Sequence, residues 1–165
     1  MSNAAALVAL LALAASDPWS VGIPVQLPLS PLQADRVASK WVVEFDYARN
    51  RPTEIVYQDC IVLVNRSSSA TITRTQVVFG AVDPDGKPKR PNLPLDVRET
   101  IKPGGSLSGA SGCRSRGYAN GDRGLWLVGW VEEVDFADGT SWHAPPENEV
   151  LAQITSALRT YNATH

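Results

Sequence analysis

Leu125-Trp126-Leu127-Val128-Gly129-Trp130-Val131-Glu132-Glu133-Val134-Asp135-Phe136 decides how the rest of the chain is read. In an extended chain Trp126, Val128 and Trp130 fall on one face, and Leu125, Leu127 and Val131 on the other. Both faces are apolar, as expected of a strand in the middle of a packed β structure. Aromatic and β-branched residues favour strand over helix. Ala137-Asp138-Gly139 then suits a three-residue hairpin loop with Gly in the left-handed region, and residues 140–143 pair back.

Upstream, the same pattern repeats. Residues 41–47 (WVVEFDY) alternate Trp41, Val43, Phe45 and Tyr47 on one face. Residues 54–65 (EIVYQDCIVLVN) and 70–82 read as strands joined by the turn 66–69. Asp83-Pro84-Asp85-Gly86 is a turn with Pro at the second position and Gly at the fourth. A proline-spaced loop, 87–94, leads to a strand at 95–101. A turn at 103–105 and a short weak strand at 106–111 precede a glycine-rich loop at 112–124. Turn signals every ~10 to 15 residues predict an all-β, antiparallel sandwich over residues 41–144.

The flanks read differently. Residues 16–40 form an extended lead-in containing a short helix: Ser30 caps, Pro31 takes the first helical position and Gln33 completes a capping box, with an end near residue 39. Pro145-Pro146-Glu147 opens a C-terminal amphipathic helix over 145–160, packed on the sandwich through Val150, Leu151, Ile154 and Leu158.

Val62-Leu63-Val64-Asn65-Arg66-Ser67-Ser68, the Asp83-Pro84-Asp85-Gly86 turn and Ile101-Lys102-Pro103-Gly104-Gly105-Ser106 together resemble uncharacterised exported bacterial proteins with an immunoglobulin-like β-sandwich. The resemblance spans residues 54–140. It implies a fold and carries over no activity and no site.

Residues 4–15 (AAALVALLALAA) are an uncharged apolar run, shorter than the ~20 residues that span a bilayer. With small residues at Ala12-Leu13-Ala14, the segment 1–15 reads as a signal peptide or Ala-rich leader, although no Lys or Arg precedes it. The expected location is secreted or periplasmic. The chain has two cysteines, Cys60 and Cys113, and no Cys/His cluster that implies metal. In an exported protein such a pair favours a disulfide; two buried thiols are the alternative.

A net charge of −2 excludes a globally basic nucleic-acid binder. No nucleophile-elbow, zincin, phosphate-loop or dinucleotide motif occurs, and no cofactor or metal is expected. A hydrolase would have to use His143, since His165 is terminal. Glu132 and Glu133 should point to opposite faces of a strand, whereas Glu133 and Asp135 share one and could do acid–base work. Asp83 and Asp85 supply too few oxygens for calcium. Asn65-Arg66-Ser67 and Asn162-Ala163-Thr164 fit the N-glycosylation pattern.

The cations carry the sharpest expectation. Alternating strand directions gather the loops 48–53, 83–94 and 112–123 at one pole, with Arg49, Arg51, Lys87, Lys89, Arg90, Arg114, Arg116 and Arg123. These are eight of the 15 lysines and arginines. With Tyr118 and Asn120 they could grip carboxylates, sulfates or phosphates. The expected function is a non-catalytic exported binding module. Its candidate partners are an anionic glycan, a lipid headgroup or an acidic protein surface. A structural or chaperone-like accessory protein of an envelope assembly, pairing through a sheet edge, is the alternative.

Overall fold

The computed structural model describes residues 19–46, 48–117 and 124–164, so the leader at 1–15 lies outside the described residues. The strands are β1 (Trp19–Pro24), β2 (Leu32–Asp46), β3 (Arg51–Asn65), β4 (Ile72–Val82), β5 (Leu93–Val97), β6 (Ser106–Leu107), β7 (Cys113–Gly117), β8 (Trp126–Phe136) and β9 (Ser141–His143), followed by the helix α1 (Glu147–Thr164). They form one curled sheet in the order β5-β4-β8-β1-β2-β3-β6, with β7 also on β3 and β9 on β8.

The sheet is mixed, which corrects the antiparallel expectation. β1 runs antiparallel to β2 from Trp19 to Gly22, then parallel to β8 at Ile23 and Pro24. Gly22 makes the crossing possible: a Cβ there would stand 2.6 Å from a Val37 methyl and 3.2 Å from Leu127. Only a residue without a side chain passes between β2 and β8 at that distance. Nor does the strand order reproduce the immunoglobulin one, in which the second and third strands lie in different sheets. Here β2 and β3 are one long hairpin.

The short helix expected before residue 39 is instead the beginning of β2. A capping box is a local preference, and it is outweighed by a ladder running from Leu32↔Asn65 to Asp46↔Arg51. Gln26 holds the strand from its other side. Its Oε1 accepts the Ala34 N–H at 3.0 Å, and its Nε2 donates to the Leu32 carbonyl at 3.2 Å. A bulge between Ala34 and Arg36 turns both Leu32 and Val37 inward.

Two further expectations change. The glycine-rich loop 112–124 contains a strand, β7, and the weak strand 106–111 shrinks to β6 followed by a 3₁₀ turn over Gly109–Gly112. The hairpin loop at Ala137-Asp138-Gly139 forms as expected, with Gly139 at φ 86°. So does the 83–86 turn, closed by Gly86 N–H donating to the Asp83 carbonyl at 2.9 Å.

Curling brings the halves of the sheet face to face over Leu32, Ile61, Leu63, Phe79, Val131 and Val134. α1 covers the outer face of the β4–β8 half, burying Val150, Ile154 and Leu158 against Val78, Val128 and Trp130. Each such side chain contributes ~1.5–3 kcal/mol on leaving water. Glu147 and Glu149 sit in the helix's first turn, where the dipole favours anions.

Asn65 is fully buried. Its Nδ2 donates to the carbonyls of Ala70 (2.9 Å) and Ile101 (3.1 Å), and its Oδ1 accepts the Ser67 N–H at 3.0 Å. In the folded chain this residue is the clasp of a turn, not a glycan acceptor.

Candidate functional site

β4 ends beside the start of β8, at Val82↔Trp126. β8 runs parallel to β1, and β1 runs against β2, whose far end carries the turn into β3. The loop after β4, the segment before β8 and the β2–β3 turn therefore share one end of the molecule. At that end a cleft of about 560 Å³ opens between the halves of the sheet. One wall is polar, with Ser39 from β2 and Tyr57 and Asp59 from β3. The other is apolar, with Phe79, Leu93, Leu125 and Leu127, and Arg90 joins the lining from the loop after β4.

Asp59 is 2% exposed and Ser39 3%. The Ser39 hydroxyl donates to Asp59 Oδ1 at 2.7 Å. A buried carboxylate is costly unless hydrogen-bonded and paired, so its surroundings decide what the cleft can hold. In the ladders Asp59 is flanked by Ser39 on β2 and by Arg114 on β7, and Tyr57 has Arg116 as its β7 register partner. Directly opposed residues of antiparallel strands share a face, ~5 Å apart at Cβ. Arg114, half-buried, thus belongs to the Asp59 row on the cleft side of the sheet. Cys60 and Cys113, the next pair along, face the other way and are joined as a disulfide across 53 residues of sequence.

The cations expected at this pole are distributed as follows. Arg90 is half-buried and also lines a second cavity, of about 460 Å³, under α1. Lys89 is exposed, with Nζ 3.0 Å from Asp83 Oδ2. The Lys87 backbone N–H and the Lys89 ammonium hold the Asp83 carboxyl below its ordinary range against the effect of partial burial. Lys87 is exposed, as are Arg49 and Arg51 at the tip of the β2–β3 hairpin, away from the cleft lining. Tyr118, Asn120 and Arg123 lie outside the described residues. Ser39, Tyr57 and Asp59 were not among the expected residues; the one signal was an Asp inside the apolar run before Cys60.

The remaining chemistry resolves into structure. A bulge between Gln76 and Val77 alters the alternation at Glu132 and Glu133, correcting the expectation that they face apart. Glu132 Oε2 accepts the Trp130 indole N–H at 2.8 Å, while Glu133 Oε1 lies 3.3 Å from Arg74 Nη1. Asp135 Oδ2 is 3.2 Å from the same nitrogen, so Glu133 and Asp135 share a guanidinium instead of a proton. The Ser141 hydroxyl donates to Asp135 Oδ1 at 2.7 Å, and that bond with Arg74 holds Asp135 below its ordinary range. His143 is exposed, with Nδ1 4.0 Å from Glu133 Oε1. Among the described residues no three His, Cys, Asp or Glu side chains form a metal-binding group, and no helix is long and apolar enough to cross a membrane.

No family model, curated protein or solved structure matches the chain.

Proposed function

We propose that the protein is a non-catalytic, exported binding module that takes an anionic ligand at the cleft end of the sheet. The carrying observation is the row Ser39–Asp59–Arg114 beside Arg90. Arg90 lines a formed pocket whose volume lies in the range of small-molecule sites, and Arg114 is the register partner of Asp59 on the same side of the sheet. A guanidinium binds carboxylate, sulfate or phosphate through two parallel hydrogen bonds, which supplies both affinity and orientation. Export is supported by the Cys60–Cys113 disulfide, which persists in oxidising compartments.

The sheet-edge alternative is weaker. Among the described residues β7 and β5 each pair with a single strand. β7 carries Arg114 and Arg116, and β5 carries Pro94, which are devices that discourage strand addition.

Calorimetric titration with decanoate and with a sulfated disaccharide, at low and high salt, tests the reading. At least one anion should bind, and Arg90→Gln with Arg114→Gln should weaken it by about tenfold or more, equivalent to one lost charge-assisted hydrogen bond. Undiminished binding in a folded double variant would overturn it.

A further inference from the structure

We infer that the ligand is an anionic amphiphile: one carboxylate or sulfate head on an apolar body, with the body inside the cleft and the head at Arg90. This rests on the anion reading above and goes further by choosing among anions. A polyanion such as a sulfated glycan needs cations spread along an accessible surface. The described cations are not arranged that way. Lys89 lies outside the cleft lining, as do Arg49 and Arg51 at the hairpin tip. Arg90 is the cation that lines the cavity itself.

The cavity is two-sided. Phe79, Leu93, Leu125 and Leu127 offer an apolar wall that an inorganic anion would leave unused. Leu125 and Leu127 remain only half-buried, so a guest's hydrocarbon would remove further apolar surface from water. Across from them Tyr57 and the Ser39–Asp59 pair form a polar strip. The Ser39 hydroxyl is already committed to Asp59 Oδ1, and Arg90 is the one cation among the described lining residues. That favours a guest with a single head, placed at the Arg90 side.

The test uses probes that separate charge from hydrocarbon: decanoate, decanol, and a sulfated disaccharide, each titrated against the full chain. Decanoate should bind at one equivalent and more tightly than decanol by about tenfold, the worth of one charged contact. Arg90→Gln should erase that difference while leaving decanol unchanged. Ala81→Phe, which fills the cleft, and Leu125→Asn, which lies outside the strands, should both weaken decanoate and decanol together; agreement between them guards against misfolding of either. Disaccharide binding that depends on Arg90 and Arg114, with no decanoate binding, would overturn the amphiphile and leave the anion reading standing. Arginine-independent behaviour of every probe would overturn both.

Discussion

Arg114 stands directly opposite Asp59 in the β3–β7 ladder, one residue from the disulfide that ties the same two strands. The bond therefore does more than close a long loop. It secures β7, the strand that carries Arg114 as the register partner of Asp59, while the cysteines themselves face away from the cleft.

Replacing both cysteines by alanine should lower stability by ~4 kcal/mol, the chain-entropy value for a loop of this length. Urea denaturation measures it. Because β7 pairs only with β3 among the described residues, amide exchange over 113–117 should accelerate more than exchange in β4 or β8. Equal acceleration throughout would mean that the bond acts on the whole fold and not on β7.

Thr75 is 1% exposed and its hydroxyl finds no hydrogen-bond partner among the described residues. A buried hydroxyl in that state costs ~1–3 kcal/mol, and valine has nearly the same shape. Thr75→Val should raise the melting temperature, an uncommon direction for a core substitution.

Asn65→Ala should have the opposite sign. It removes both donors of one amide and leaves the Ala70 and Ile101 carbonyls short of partners, a cost of ~2–3 kcal/mol. Thermal melts of this variant and of Asn162→Ala, on the exposed side of α1, should differ clearly.

Acid should destabilise the protein through three carboxyls. Asp135 is held down by the Ser141 hydroxyl and Arg74, Asp83 by the Lys87 backbone N–H and Lys89, and Asp138 by the Thr140 hydroxyl and N–H. Each is depressed in the folded state, so its contribution is present above the unfolded value of ~3.9 and disappears as pH falls through the lower folded value. The urea midpoint should stay level from neutral pH to about 5 and drop below about 4. Ser141→Ala should soften that drop, and an unchanged profile would show that Asp135 gains nothing from its hydroxyl partner.

How far the sequence could be read depended on the range of the interactions involved. Strand β8, its hairpin loop at Gly139 and the helix face of Val150, Ile154 and Leu158 were legible because each follows from periodicity or turn chemistry within a few residues. The Ser30–Gln33 segment misled because a real capping pattern met a longer-range competitor, the ladder to β3. β7 was hidden because Cys-Arg-Ser-Arg-Gly has little strand propensity; its pairing comes from β3, to which the disulfide also ties it.

The site divides along the same line. Sequence alone determined that cations concentrate in the segments around 87–90 and 114–116, that two cysteines were available to bond, and that apolar strands would bury a core. Tertiary structure decided which of those cations stand at the cleft. The β3–β7 register put Arg114 opposite Asp59 in the ladder, the curl of the sheet set Phe79 and Leu127 across from Ser39, and the loop after β4 brought Arg90 into the same lining. Composition and periodicity act between near neighbours in the chain. A cleft is formed by residues as far apart in the chain as Ser39 and Leu127, whose meeting depends on strand register, and register is settled only when the whole sheet closes.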